Sequence, residues 1–387
     1  MEKPTTRWTR KRPAAVLAAL LCLFTGTASA SAATWFTSPA GSDGDGMGTE
    51  VSPWQTLGKA IASAAPGDVI KVMDDGVETT DDYVENVVIP EALEGLTVER
   101  YDSDDTKPHI KSTDPYLTVI TVEADGVTLK GLEINGADWT EGILFATGTT
   151  DGLVHQCSSG AGGQKNKEFV RMAAGSSNHT VSQCEIIGSG NYAIWIQGEN
   201  GEESNHIIDS CNTHNSFAAV AVEGASAVQI LELTSWNNTY GLKISDGGDH
   251  IILGNTFDNV QNYVIGLSMS DFNLVADNEV FNSSLGLSIS NAHYSVFANN
   301  LFEMSSGTGA SLEGGGYNVF YTNFVYGANK AVTTQQGGSS FFTNNIFSNC
   351  GSEGMSLGAG GNLVAFNIFD DNGGAGISTS SLANTIV

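Results

Sequence analysis

Short stretches in which apolar and polar residues alternate recur through the second half of the chain. The segment YGLKIS at 240–245 shares its frame with IGLSMS at 265–270 and LGLSIS at 285–290. Side chains of a β-strand point alternately to its two faces, so each segment predicts a short strand with one buried face. At one outward position the first copy has Lys243 where the later copies, aligned on their glycines, have serine.

Each of these strands is part of a longer repeat that contains one asparagine before a short apolar or aromatic strand. These residues, 22 or 23 positions apart, are Asn255, Asn278, Asn300, Asn323, Asn345 and Asn367. A unit holds three short strands that cannot bury a face alone, but coils stacked about 4.8 Å apart can. The pattern predicts an all-β parallel β-helix in which asparagines at one bend hydrogen bond to the copies above and below.

The first 33 residues predict a secretory signal peptide. A basic segment, RWTRKR, is followed by the apolar PAAVLAALLCLF and by TASASAA, whose small residues suit cleavage. The apolar run is too short for a membrane span, and no later segment reaches ~20 apolar residues. We therefore predict a secreted protein without a membrane anchor.

The mature chain, 34–387, is predicted to form a single domain. Residues 34–75 form an N-terminal cap and entry strand, because TLGKAIASA has helical apolar spacing and PGDVIKV indicates a turn into a strand. Residues 76–387 form the coils. The last coil is incomplete at Val387, so we expect either a truncated chain or a further element that covers the open strand edge.

Three cysteines extend the asparagine column toward the N-terminus. Cys157, Cys184 and Cys211 are 27 residues apart and share one position of the repeat. Export permits a disulfide between adjacent coils, but buried reduced thiols that act as small apolar residues are the favoured interpretation. His206 and His250 share another column, two coils apart.

Composition and charge limit the partners. The chain has 46 glycines and 8 prolines, which indicates many tight turns, and its formal net charge is −27. Such a negative field repels nucleic acids and anionic membranes, so we predict neither as a partner. Adaptation to high salt explains the charge equally well. We expect a monomer.

The outward positions of the repeat change in character along the chain. One outer column contains Leu144, Arg171, Trp195, Ala221, Lys243, Ser268, Ser288, Ser311, Thr333, Ser356 and Ser378. Its charged and aromatic members lie between 171 and 245, and its later members are small and carry hydroxyl groups. The informative part of this face is therefore the earlier one.

Further polar residues accompany this part of the face. Gln197 and Glu223 occupy the next outer column, and Tyr240 begins the strand of Lys243. Basic groups, a carboxylate and an exposed tryptophan suit a carbohydrate, because the ring stacks on a sugar while charged groups bind hydroxyls or a uronate. We predict that Trp195 contacts a polysaccharide together with these three residues.

The start of the mature chain resembles the entry of secreted β-helix proteins of the pectate lyase superfamily. The resemblance rests on WFTSPAGSDGDGMGTE, on SPWQTLGKAIASAAPGDVIKV and on DGVTLKGLEING at 125–136. It covers nearly all of the mature chain. It implies a right-handed parallel β-helix with three short strands per coil of about 22 residues and a short helical cap. Lyases, hydrolases, epimerases and non-enzymatic surface proteins share this fold.

The resemblance also implies an activity. In the resembling lyases a lysine or arginine removes the proton beside the uronate carboxylate, and Ca²⁺ held by acidic residues neutralises that carboxylate. Carried over, Lys243 is the candidate base and Arg171 a uronate clamp, both catalytic. The candidate Ca²⁺ ligands are Glu223, Asp246 and Asp249. The expectation is a Ca²⁺-assisted lyase that cleaves a uronate-containing glycan by β-elimination.

Several alternatives stay open at this stage. The paired acidic motifs of the lyases and hydrolases are missing, which favours a non-catalytic glycan-binding or cell-surface module. Lys243 and Glu223 suit a surface ion pair equally well, and SDGGD suits an ordinary turn. Trp195 suits a packing role, and a hydrolase is disfavoured because the sequence shows no convincing carboxylate pair.

Overall fold

Short parallel strands, each paired with the equivalent strand one coil away, build the protein. The computed structural model describes residues 31–74, 83–103, 106–136, 139–160, 166–381 and 383–387. The predicted signal peptide lies outside these ranges except for its last three residues. Every pairing between strands within the described ranges is parallel, and residues 32–387 form one compact unit.

The strands fall into stacked sheets that run along the axis of the coil. Within the described residues, sheet 1 has 15 strands: Thr34–Thr37, Val69–Val72, Thr97–Arg100, Thr128–Lys130, Leu153–His155, Thr180–Ser182, Ile207–Asp209, Gln229–Leu231, Ile251–Leu253, Leu274–Ala276, Val296–Ala298, Val319–Tyr321, Phe341–Thr343, Leu363–Ala365 and Thr385–Ile386.

Sheet 2 carries the YGLKIS segment. Its 13 strands within the same ranges are Val87–Ile89, Ile120–Val122, Ile143–Phe145, Val170–Met172, Tyr192–Glu203, Ala218–Ser226, Tyr240–Ser245, Tyr263–Ser268, Leu285–Ser290, Thr308–Gly316, Lys330–Gly338, Met355–Leu357 and Ile377–Thr379.

The third side of the coil is formed by two smaller sheets. Among the described residues, sheet 3 contains Glu185–Ile187, Asn212–His214, Thr234–Trp236, Thr256–Asp258, Glu279–Phe281, Leu301–Glu303, Phe324–Tyr326, Ile346–Ser348 and Ile368–Asp370. Sheet 4 contains Tyr83–Val84, His109–Lys111 and Glu133–Asn135. The predicted parallel β-helix with three strands per coil is confirmed.

A short helix covers the first coil, as the apolar spacing predicts. It spans Leu57–Ser63 and buries Leu57, Ala60 and Ile61. Thr56 caps its N-terminus, where the threonine hydroxyl accepts a hydrogen bond from the Lys59 N–H at 3.1 Å. A single 3₁₀ turn at Glu91–Leu93 is the other helical segment within the described ranges. No helix there is long and apolar enough to cross a membrane.

The predicted asparagine row is confirmed. The Asn300 Oδ1 atom accepts hydrogen bonds from the Asn278 backbone N–H at 3.1 Å and from Asn278 Nδ2 at 2.9 Å. The Asn300 Nδ2 atom donates in turn to Val275 O and to Asn323 Oδ1, both at 2.9 Å. Each buried amide is thereby satisfied by its neighbours, which fixes this bend in the coils from Asn255 to Asn367.

A second interior row of side chains lies at the bend before sheet 1. In this row, histidine side chains accept the backbone hydrogen bonds that asparagine accepts in the first row. The backbone N–H groups of Gly152, His179 and Val228 donate to the Nδ1 atoms of His179, His206 and His250 at 2.9, 3.1 and 3.2 Å. One coil further on, the His250 N–H donates to Asn273 Oδ1 at 3.2 Å. The shared position of His206 and His250 therefore has a physical reason.

The cysteine column is buried. Cys157, Cys184, Cys211 and Cys350, the cysteines of the described ranges, are free thiols, in agreement with the favoured interpretation. The Cys184 thiol donates to Ser182 O at 3.3 Å. Burial raises the pKa of Cys157 to about 11, so this thiol is protonated and unreactive at neutral pH.

One part of the predicted outer column is wrong. In sheet 2 Leu242 pairs with Ile265 and Lys243 with Gly266, while Ser268 pairs with Ser245. The strand 263–268 is thus displaced by two residues from the alignment on the glycines. A two-residue shift keeps every side chain on its original face, so alternation alone cannot determine the register.

Candidate functional site on the outer face of sheet 2

Sheet 2 places the predicted site residues on one face. Arg171 pairs with Trp195, Trp195 with Ala221, and Ala221 with Lys243. Arg171 and Lys243 are therefore three coils apart, roughly 14 Å at the usual strand spacing. Gln197 pairs with Glu223 in the next outer column. The predicted catalytic pair shares a face but not a single reacting centre.

Arg171 is held by three neighbours. Its Nη1 donates to Glu141 Oε1 and its Nε to Gln197 Oε1, both at 2.9 Å. Its guanidinium carbon lies 4.7 Å from the centre of the Trp195 ring, a cation–π contact. Burial alone would raise the pKa of Glu141, but hydrogen bonds from Arg171 and Thr118 hold this pKa below its usual value.

A second carboxylate lies behind this cluster. The Glu168 side chain is fully buried, and its Oε1 accepts from Asn191 Nδ2 at 2.8 Å. Its Oε2 has no hydrogen-bond partner among the residues that the structure describes. Lys167 Nζ is 3.7 Å from Oε2. Burial raises the pKa of Glu168. Neither Glu141 nor Glu168 was predicted, because both residues lie outside the repeated strand frame.

Lys243 lies among aromatic rings. Its Nζ is 5.3 Å from the ring centre of Tyr192 and 5.5 Å from those of Phe217 and Tyr240. It also donates to the Tyr192 hydroxyl at 3.5 Å. Ala221, which is fully buried, pairs with Lys243 in the sheet and leaves room for the side chain. The electron-rich faces of the rings attract the ammonium group.

These rings are part of a continuous row, here called the aromatic arc. It consists of Trp195, Tyr192, Phe217, Tyr240 and Tyr263, whose successive ring centres are 5.6, 6.2, 5.0 and 4.7 Å apart. Trp195 and Tyr240 were predicted, and the other three were not. A signal exists in the sequence, because NYAI, SFAA, TYGL and NYVI each place an aromatic residue at the start of a successive sheet 2 strand.

Gly266 leaves the space that the ring of Tyr263, the last residue of the aromatic arc, occupies. A Cβ atom at this position would lie 2.4 Å from the Tyr263 ring, a separation that real Cβ atoms do not show. The glycine opposite Lys243 therefore makes room for the tyrosine. Burial, with Tyr240 and Tyr192 nearby, raises the pKa of Tyr263 to about 12.

Glu223 is bonded to the arc. Its Oε2 accepts from Trp195 Nε1 at 3.2 Å and its Oε1 from the Tyr192 hydroxyl at 3.5 Å. These contacts take the place of the ion pair with Lys243 that the sequence left open. Burial, followed by the charge and hydrogen bond of Glu223, raises the pKa of Tyr192.

A groove begins beside these groups. It has a volume of about 270 Å³ and is lined by Glu223, Lys243, Tyr263 and the hydroxyls of Ser245, Ser268, Ser288 and Ser290, among others. A second depression of about 480 Å³ lies further along the same face and is lined by Lys330, Gln335, Thr333, Ser356 and Ser378, among others. Both are lined mainly by groups that hydrogen bond to hydroxyls.

The predicted Ca²⁺ ligands do not lie together. Asp246 and Asp249 line a separate depression of about 420 Å³ with Asp271 and Phe272, whereas Glu223 lies in the groove beside Lys243. Within the described ranges, no group of three or more His, Cys, Asp or Glu side chains is arranged to hold a metal ion. The three residues do not form one calcium site in this structure.

Comparison with known proteins now adds to this geometry. Residues 165–340 match the family described as periplasmic copper-binding protein (NosD). No curated protein sequence matches the chain. Among solved structures, the periplasmic alginate epimerase AlgG superposes with a TM-score of 0.54 at 12% identity, over 86% of this chain and 81% of that one.

Two further structures are similar. A mutant of the same epimerase gives a TM-score of 0.56 at 13% identity over 75% of each chain. A PL6 alginate lyase in complex with a trisaccharide gives 0.53 at 11% identity over 82% of each chain. The chain shares their β-helix fold. At these identities the likeness establishes the fold alone.

Proposed function

We propose that this β-helix is an exported protein that binds a uronate-containing polysaccharide on the outer face of sheet 2 and cleaves it by β-elimination. The observation that carries the proposal is the aromatic arc with two basic groups held against its rings. Trp195 contacts Arg171, and three members of the arc surround Lys243. Aromatic faces stack on sugar rings, and the fixed guanidinium of Arg171 selects a glycan that carries carboxylates.

The two basic groups, Arg171 and Lys243, have different proposed roles. Arg171 is already bound to Glu141 and Gln197, which holds its guanidinium in one orientation for a uronate of the same chain. Lys243 is the proposed base that removes the proton next to the uronate carboxylate. The ring faces around Nζ stabilise the positive charge that this atom gains as it takes the proton.

Calcium stays a prediction, and no step is assigned to it. The predicted ligands line two separate depressions, as described above. The name of the NosD family refers to copper. Within the described ranges, no group of three or more His, Cys, Asp or Glu side chains could hold such an ion.

The likeness to the alginate lyase and the alginate epimerase supports a glycan substrate. The titles of these structures name alginate, and alginate is the first polymer to test. The descriptions of NosD and of the epimerase as periplasmic are consistent with the proposed export. A monomeric state is also proposed and is measured in the same preparation by light scattering.

The test is the release of unsaturated uronate, followed by ultraviolet absorbance on alginate, pectate and glycosaminoglycans. Lys243→Ala is expected to lower kcat by about 100-fold or more, the usual contribution of a general base. Lys130→Ala, a half-exposed lysine of sheet 1, is the matched control and is expected to keep full activity. Each assay is run with added Ca²⁺ and with a chelator.

A second candidate is the non-catalytic glycan-binding module, favoured by the long face lined with hydroxyls. Binding of the same polymers, measured by calorimetry, separates the two. Binding without any absorbance on the whole panel would contradict the lyase proposal and support the module. Full activity of folded Lys243→Ala would contradict the assignment of the base.

A further inference from the structure

Tyr192 is the residue whose position the sequence did not anticipate and whose contacts join the groups around the groove. Its hydroxyl lies 3.5 Å from Lys243 Nζ and 3.5 Å from Glu223 Oε1. Lys243 and Glu223 both line the groove. Tyr192 itself is 9% exposed. Its hydroxyl is therefore a buried group between two residues that line the groove, next to the proposed base.

An elimination needs a proton donor as well as a base. The glycosidic oxygen leaves as a poor alkoxide unless a nearby group protonates it, and such general acids contribute about 10²–10⁴-fold. Contacts of 3.5 Å in the free protein are long but are expected to tighten around a bound substrate. A base and an acid adjacent to one another are the arrangement that this reaction requires.

We propose that the Tyr192 hydroxyl protonates the departing glycosidic oxygen and that Lys243 then returns a proton to Tyr192. The inference rests on the proposed β-elimination. Neutral Lys243 takes the proton from C5, and the electrons of that C–H bond form the C4–C5 double bond. The C4–O bond breaks with its electron pair on the oxygen, which takes the Tyr192 proton.

These proton transfers need no further reactant. It leaves an ammonium on Lys243 and a phenolate on Tyr192, whose hydroxyl oxygen is 3.5 Å from Nζ in the free protein. Transfer of one proton across that contact restores both groups. Until then, the ring faces of Phe217 and Tyr240 stabilise the ammonium.

The surroundings keep the hydroxyl protonated between turnovers. Burial and the nearby carboxylate of Glu223 raise the pKa of Tyr192, and Glu168 adds to the effect. The other titratable groups beside it are Lys243 and, further along the arc, Tyr240 and Tyr263. A phenol that stays neutral at neutral pH has the form that a general acid needs.

The experiment compares two leaving groups. On the natural polymer, Tyr192→Phe is expected to lower kcat by about 100-fold with little change in KM. On a synthetic uronate that carries 4-nitrophenol at C4, the same variant is expected to work within a few-fold of wild type, because nitrophenolate leaves without a proton. Tyr294→Phe, an exposed tyrosine outside the groove, is the control for loss of a hydroxyl.

The possible outcomes distinguish the proposed role of Tyr192 from the proposed β-elimination on which it rests. Absence of unsaturated product with the wild-type protein on every polymer would remove the elimination itself. An active wild type with an equally active Tyr192→Phe would overturn the role of Tyr192 alone. Equal slowing on both substrates would also overturn it, because the hydroxyl would then position Lys243 and would not donate the proton. Activity on the nitrophenyl substrate shows that the variant is folded.

Discussion

Two regions of the coil have the same backbone pairing but different side chains at their interior bends. In the downstream coils, residues 251–380, asparagine amides satisfy one another from coil to coil. In the upstream coils, residues 143–250, the column that continues the asparagine row contains thiols, and the other bend contains imidazoles. At the bend before sheet 1, histidine, asparagine and serine side chains each accept the N–H of the preceding coil, so imidazole, amide and hydroxyl serve the same backbone there.

The outer faces of the same two regions differ as well. Upstream, sheet 2 presents the charged cluster of Arg171 and most of the aromatic arc, which ends at Tyr263. Downstream, most positions of the same columns are serine or threonine. Because the order of strands in sheet 2 continues through both regions, the fold does not require the difference. The upstream outer face is therefore where we expect function. The side chains at the interior bends are expected to make the free energy of unfolding differ between the two regions.

Low pH is expected to produce the largest difference between the regions. Burial lowers the pKa of His179 and His250 to about 4 and that of His206 to about 3, against about 6.5 in an unfolded chain. Below pH 6.5 the unfolded state binds more protons, so the free energy of unfolding falls as the pH drops toward the folded pKa values. The loss is about 2 kcal/mol per histidine at pH 4.5.

Hydrogen exchange at pH 7 and pH 4.5 measures this effect region by region. Upstream amides should lose protection and downstream amides should not. The matched variant replaces His179, His206 and His250 by asparagine, the residue that the downstream coils use in this row. If its upstream amides lose protection to the same extent at pH 4.5, the histidines are not the cause.

Removal of an asparagine side chain from the asparagine column should lower the free energy of unfolding more than removal of a cysteine side chain from the same column. Asn300→Ala leaves buried partners without hydrogen bonds, including the Asn278 N–H and Val275 O. At about 1–3 kcal/mol for each such group, we expect a loss of about 3–4 kcal/mol. Cys184→Ala removes a small, weakly bonded group and should cost about 1 kcal/mol.

Urea denaturation of both variants compares these losses. A solenoid can unfold in parts, so hydrogen exchange of the affected coils accompanies the measurement. Equal destabilisation by Asn300→Ala and Cys184→Ala would show that the asparagine row adds no more stability than packed thiols.

The smallest expected effect concerns one strained residue at the end of a downstream strand of sheet 2. Met269 has φ = 50° and is 55% exposed, between Asp246 (φ = 55°) in the coil before and Asn291 (φ = 51°) in the coil after. The left-handed region suits asparagine and costs other side chains about 1 kcal/mol. Met269→Asn should therefore raise the free energy of unfolding by about 0.5–1 kcal/mol. A drop in stability would indicate that the methionine makes a packing contact worth more than the strain.

Much of the fold follows from the sequence. The 22-residue spacing of the asparagines, the alternation in the strands and the helix at Leu57–Ser63 are local or strictly periodic signals, and stacking is the arrangement in which such short strands bury a face. The position of Lys243 on the outer face follows in the same way. Secretion, Ca²⁺ and the roles of the site residues stay predictions.

Tertiary structure decided what surrounds Lys243. The two-residue shift at Gly266 preserves the alternation, so side-chain packing across coils had to select it. Tyr192 and Phe217 come to the Lys243 ammonium from positions 51 and 26 residues earlier in the chain, a distance that no local pattern spans. The sequence by itself determined which face each side chain takes, because that depends on a period of two along one strand. Only the stacked coils decided which side chains meet, because that depends on the register between strands.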